Sequence, residues 1–205
     1  MDMKRLPVYY IQFRFITATQ DKIRKLIYNV NTRFNLKHER EVPHITLAGP
    51  FHTSNENRLM DTFYEICKNS SLMYFKVNGF GYFDEKRVIF LTVQPDNLLD
   101  EFRWKISRSL QSFNSLSPYD YHREFNFHAT IKKNLCSDDF NKLKQFLQKR
   151  EISFSHLMVR CTLLKNGFIL REYNFLLRRF LDRKMALNSG LLRMTMHYLK
   201  NNFIV

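Results

Sequence analysis

The 205-residue chain has only three cysteines, Cys67, Cys136 and Cys161, which are too few and too scattered for a disulfide framework or a cysteine-based zinc site. Reduced, buried thiols are expected, as in a cytoplasmic protein. No stretch approaches the roughly 18 uninterrupted apolar residues of a transmembrane helix. The opening "MDMKRLPVYY" carries early charges with no long apolar segment behind it, so neither a membrane span nor a targeting segment is expected. HExxH and Cys/His ligand spacings are missing, as are G-x-S-x-G and P-loop patterns, which removes zinc-hydrolase, serine-hydrolase and NTPase readings. Acidic residues are also sparse, at 19 Asp and Glu against 33 Lys and Arg.

What the chain does have is aromatic mass, 20 Phe and 10 Tyr, and a formal charge of +14. The charge is unevenly spread. Residues 1–100 hold 14 basic against 11 acidic side chains (+3), and residues 101–205 hold 19 against 8 (+11). A basic, aromatic-rich chain suits a polyanion, since Lys and Arg neutralise phosphates while rings stack on bases.

Periodicity points to an α+β order that occurs twice. "VYYIQFRFI" (8–16) reads as a strand, and 20–34 spaces Ile23, Ile27, Val30 and Phe34 as an amphipathic helix. A short strand containing His44 follows, then a helix over 54–69 with Ser54 as N-cap and Leu59, Phe63 and Ile66 on its apolar face, then strand material over 72–83. The second half runs strand 87–95, helix 97–113, a strand containing His128, helix 138–149 and strand 152–164. Shifting the first half by 84 residues, the distance from His44 to His128, superimposes the two orders. A last strand over 167–177 pairs back across the Asn-Gly of "KNG" (165–167). The expectation is one bilobal, internally duplicated domain over 1–180. Its lobes are approximately 1–84 and 85–180, strand exchange between them is allowed, and a helical extension follows over 181–205. The tail is basic, with Arg178, Arg179, Arg183, Lys184, Arg193 and Lys200, and is expected to cover a face of its own domain.

Each half places a His-x-Thr on its second strand, "HITL" at 44–47 and "HATI" at 128–131. With 7 His and 10 Thr in the chain, composition alone gives roughly 0.3 such triplets. Strand side chains alternate, so His44 and Thr46 share one face, and His128 and Thr130 likewise, while the apolar neighbours anchor the opposite faces. Two imidazoles across a cleft supply a general acid and a general base near neutral pH, and rotamer-restricted threonine hydroxyls can bond the non-bridging oxygens of a phosphoryl group. Phosphoryl or phosphodiester chemistry without an obligatory metal is the indicated class, and no cofactor is expected.

In this β-α setting the two tetrapeptides resemble the signature of the 2H phosphoesterase superfamily, two copies of His-x-Thr/Ser-x with an apolar last residue. The resemblance covers about residues 6–177 and looks closest to the branch named for 2'-5' RNA ligase and RNA cyclic phosphodiesterase activity. It implies two mainly antiparallel sheets flanked by helices, with the motifs facing across a central cleft. It also implies metal-independent hydrolysis of RNA 2',3'-cyclic phosphate ends or of 2',5'-linked oligonucleotides, with 2'-5' ligation as a related activity. Carried over, His44 and His128 become the acid–base pair and Thr46 and Thr130 the phosphate-binding pair. For a cyclic end, His128 activates water and His44 protonates the departing oxygen.

The remaining candidates for substrate contact are Arg123 with Tyr119 and Tyr121 in the loop before the second motif, and Arg171 with Tyr173 on the last strand. His38, His52, His122, His156 and His197 lack a repeated context and are expected to be ordinary surface or hydrogen-bonded histidines. RNA or an oligonucleotide is the expected partner, and a monomer the expected state. A non-catalytic RNA-binding module on the same fold is the rival from another class.

Overall fold

The structure, a computed structural model, describes residues 6–38 and 42–202, with side chains as far as residue 199. The side chain of Lys200, counted above in the basic tail, lies outside the described residues, as do residues 1–5 and 203–205 of the expected domain and extension.

The first half forms β1 (Val8–Arg14), α1 (Thr17–Arg33), β2 (His44–His52), α2 (Glu56–Lys68) and β3 (Met73–Phe83). The second repeats the order as β4 (Val88–Pro95), α3 (Asn97–Leu110), β5 (His128–Lys132), α4 (Ser137–Gln148), β6 (Ser153–Met158) and β7 (Arg160–Lys165). Then come β8 (Phe168–Asn174), β9 (Arg179–Leu181), α5 (Arg183–Ala186) and α6 (Ser189–Asn202). Among the described residues no helix is long and apolar enough to cross a membrane.

Local chemistry explains the boundaries. The α2 helix is capped by Asn55, whose side chain accepts from the Arg58 N–H at 3.0 Å, and not by Ser54 as the sequence pattern suggests. Its buried stripe is Leu59, Phe63 and Cys67, so Ile66 falls to the flank. Asp96 caps α3 in the same way, through Leu99 N–H at 2.7 Å. The β7–β8 hairpin turns on Asn166 and Gly167, whose φ values of 50° and 81° suit a two-residue turn that asparagine and glycine alone adopt readily.

Two antiparallel sheets result, in the orders β2-β1-β7-β8-β9 and β5-β4-β3-β6. The α+β, duplicated arrangement is the one the sequence indicates, but one strand is corrected. Residues 152–164 do not form a single strand. The chain changes sheets at Val159, leaving β6 paired with β3 and β7 paired with β1. Residues 156–163 are buried without a break, so burial runs straight through the switch. The β3 and β7 strands have thus each crossed into the sheet built around the other half. The expected last strand also stops early, at Asn174. There the side-chain oxygen takes the Leu176 and Leu177 N–H groups at 3.0 Å each, and the short β9 follows.

A continuous apolar core joins the inner faces of the two sheets to α2 and α3, and a smaller cluster packs Val30 of α1 and Phe140, Leu143 and Leu147 of α4 on Ile89. Buried within the main core is His156, its ring 5.5 Å from both Phe13 and Phe75 and 5.7 Å from Phe15. Burial pushes its pKa from 6.5 down to about 4. The unfolded chain therefore takes up a proton below about pH 6.5 that the native chain refuses. Stability should be constant above that pH and fall by about 3 kcal/mol by pH 4, at about 1.4 kcal/mol per pKa unit. Urea unfolding at stepped pH checks this, and His156→Phe should flatten that part of the curve.

Candidate active site

The two His-x-Thr strands occupy the facing edges of the two sheets. The β2 strand is the edge of the five-stranded sheet and β5 the edge of the four-stranded one, and these edges lie against each other. Ile45, Leu47, Ala129 and Ile131 are buried in the core, while His44, Thr46, His128 and Thr130 are half-buried on the opposite faces. His44 and Thr130 border one small crevice with Pro43, Lys132 and, from α1, Asn31. The structure thus brings the first motif against the second.

Both imidazoles are held the same way. His44 Nδ1 lies 2.9 Å from the Val42 carbonyl, and His128 Nδ1 lies 2.8 Å from the Asn126 carbonyl. A carbonyl only accepts, so each Nδ1 carries the hydrogen and each Nε2 is left to donate or accept elsewhere. Two rings fixed at the same offset, each by the carbonyl two residues upstream, are aimed and tautomerically defined before any ligand arrives.

Their surroundings differ. His128 stands 5.2 Å from the Phe83 ring and 5.1 Å from the Phe90 ring. Burial is the main force lowering its pKa, the Asn126 carbonyl partly opposes it, and the nearby His44 and Lys86 lower it further. Gly81 makes this wall possible, because a Cβ there would meet the Phe90 ring at 2.1 Å. His44 belongs instead to a polar face. In register with Thr46 lies Gln12 of β1, then Thr162 of β7, then Glu172 of β8. Arg14 sits opposite His44 itself. Glu172, 3% exposed, accepts from Arg160 Nη1 at 2.9 Å and Thr162 Oγ1 at 2.7 Å, and lies 3.9 Å from Arg14 Nη1. On β5, Lys132 is buried on the motif face and its Nζ donates to the Lys37 carbonyl at 2.7 Å.

The other residues expected at the substrate lie elsewhere. Arg123 is exposed but paired with Asp100 at 2.8 Å and Glu101 at 2.5 Å on α3, so its charge is already answered. Tyr119 is 46% exposed but has protein partners. It packs on Phe125 at 5.3 Å, and its hydroxyl accepts the Asn126 N–H at 2.9 Å, which places it behind the carbonyl that orients His128. Tyr121 packs against the main core. Tyr173 is 1% exposed among Phe175 and Phe180, and Arg171 shares its side of β8. Parity groups this pair correctly, but their common face is the core face, and the strand offers Glu172 to the catalytic side. Gln12, Arg14, Phe83, Phe90 and Glu172 were not anticipated. The two polar residues alternating within apolar β1 were the available signal. Among the described residues no group of three or more His, Cys, Asp or Glu side chains can hold a metal ion.

Comparison with known proteins agrees with this fold. The family model described as "2'-5' RNA ligase superfamily" matches residues 17–167. Among solved structures, Escherichia coli LigT complexed with 3'-AMP aligns with a TM-score of 0.56 at 14% identity, covering 82% of this chain and 98% of LigT. A structure described as a phosphoesterase aligns at 0.53 and 13% identity, covering 87% and 94% respectively. Apo LigT from E. coli aligns at 0.53 and 15%, covering 86% and 95%. A search of the curated proteins finds no match.

Proposed function

Since the chain belongs to the 2'-5' RNA ligase superfamily, the 2H phosphoesterases, we propose that it is a metal-independent phosphodiesterase that opens 2',3'-cyclic phosphate ends of RNA or short oligonucleotides. The observation that carries this reading is the matched pair of imidazoles, each with Nδ1 committed to a carbonyl and Nε2 left for chemistry. A fold shared with a protein that takes 3'-AMP is in keeping with a nucleotide ligand.

The unequal surroundings divide the roles. Burial against Phe83 and Phe90 keeps His128 neutral at neutral pH, which suits a general base. Its Nε2 takes a proton from water as the water oxygen bonds to phosphorus. The bond from phosphorus to the ribose 3' oxygen breaks, and that oxygen takes the proton from His44. Thr46 and Thr130 hold the non-bridging oxygens, and the cations Arg14 and Lys132 offset the charge that gathers on them.

The test is a substrate panel with chelator present: an RNA ending in 2',3'-cyclic phosphate beside 2',5'-oligoadenylate. Turnover of the first is expected. Preference for the second would move the same four residues to 2',5'-oligonucleotide hydrolysis, and RNA binding without turnover of either would leave a binding module.

A further inference from the structure

One cavity beside His44 extends past the residues used in the chemistry just described. Its volume is about 360 Å³, and it runs from His44 and Arg14 along Phe168 and Ile169 of the β7–β8 hairpin to Arg183 and Leu187 at α5. That size suits one nucleoside and not a macromolecule, since small-ligand sites span roughly 300–1,000 Å³. Its outer wall is unusual for a soluble surface. Phe168 is 59% exposed and Leu187 is 52% exposed, so two large apolar side chains stand open within reach of a catalytic histidine. The Arg183 guanidinium lies 4.9 Å from the Phe168 ring centroid and steadies that ring by cation–π attraction. The wall is also fastened from behind. The Ala186 carbonyl of α5 accepts from Arg160 Nη1 at 3.1 Å, and the same buried guanidinium is gripped by Glu172. Phe168, Ile169, Arg183 and Leu187 all lie beyond the residues matched by the family model, which end at 167.

We propose that this cavity seats the base of the terminal nucleoside, stacked on Phe168 and flanked by Leu187. The inference rests on the phosphodiesterase reading for its direction. If His44 protonates the departing ribose oxygen, the ribose lies at His44, and the base it carries projects away from the phosphate on that side. The cavity opens there, whereas His128 on the other side of the phosphate is walled by Phe83 and Phe90. The C-terminal segment after β9 is then part of the substrate site as well as a cover for its own domain.

The experiment compares a nucleoside 2',3'-cyclic phosphate with a base-less methyl riboside 2',3'-cyclic phosphate, in wild type, Phe168→Ala and Leu187→Ala. Binding of a nucleoside 3'-monophosphate is followed by calorimetry in the same proteins. Both substitutions are at exposed positions, so the fold is retained. Stacking of a base on an aromatic ring is worth about tenfold or more in affinity. Wild type should therefore favour the nucleoside substrate in KM by about tenfold, and Phe168→Ala should collapse that ratio toward one with a smaller change in kcat. The same variant should weaken monophosphate binding about tenfold. Equal dissociation constants in all three proteins, or no nucleotide binding by wild type, would overturn the base seat. Binding that depends on Phe168 without turnover of either cyclic phosphate would uphold the seat and remove the phosphodiesterase reading instead.

Discussion

Replacing either motif histidine by alanine should lower turnover of a 2',3'-cyclic-phosphate RNA by about 10²–10⁴-fold, the usual contribution of a general acid or base. Neither ring is part of the packed core. Each sits half-buried on a sheet edge, and its single polar anchor is an upstream carbonyl. Thermal unfolding and nucleotide binding should accordingly change little. The double variant should lose scarcely more than the worse single one, because the two groups act as a unit in one transition state. The pH dependence separates their roles. The base works when unprotonated, and burial sets the His128 pKa below its ordinary 6.5. In wild type kcat/KM should therefore rise with pH through a value under 6.5, the limb that belongs to His128. His128→Ala should erase that rising limb, and His44→Ala should leave it in place at a lowered rate. Equal losses of binding and turnover, or a flat profile from pH 5 to 9 in wild type, would contradict the paired mechanism.

Glu172→Ala should be the most damaging single change to stability on the catalytic face, at about 3–5 kcal/mol in urea unfolding, the range for breaking a buried ion pair from one side. The carboxylate is 3% exposed, and it is the group that Arg160, Thr162 and Arg14 share. Without it, the buried Arg160 and the half-buried Arg14, guanidinium groups that already repel each other, face an apolar methyl. Glu172→Gln keeps the shape and a hydrogen-bond acceptor and should fall between. Replacing both partners, as Arg160→Met with Glu172→Leu, should cost less than Glu172→Ala alone, because apolar side chains leave no charge unanswered. A loss under about 1 kcal/mol for Glu172→Ala would show that solvent reaches the arginines and screens them.

The features visible in the sequence are those written at short range. The His-x-Thr parity, the helix stripes, the Asn-Gly hairpin and the doubled order of elements all depend on neighbours within a few residues. What stayed hidden depends on partners far along the chain. Parity puts Arg171 and Tyr173 on one side of a strand, but only the pairing of Tyr173 with Cys161 and Phe180 decides that this side is the core. The break at Val159 is followed at once by Arg160, but what that arginine meets, Glu172 on β8, is not visible in the sequence. Arg123 reads as a phosphate ligand until α3 brings Asp100 and Glu101 to it. Phe83 and Phe90 look like ordinary strand aromatics until β5 lays His128 against them.

The crossing of β3 and β7 between sheets has a consequence for how the protein comes into being. Tyr9 finds its partner in Lys165, and Gln12 its partner in Thr162, so β1 waits for nearly the whole chain before its second neighbour exists. Loop-closure entropy must be met before such distant pairings bring any return, which makes folding slow. On a ribosome the first half emerges with β1 holding β2 alone and β3 destined for a sheet not yet synthesised. The two halves therefore mature together, and the seam that carries both histidines closes only after β7 has left the exit tunnel. If the two histidines act as proposed, their acid–base competence is a late event of biosynthesis, and a chain ending before residue 160 should lack it even though both motifs are present in it.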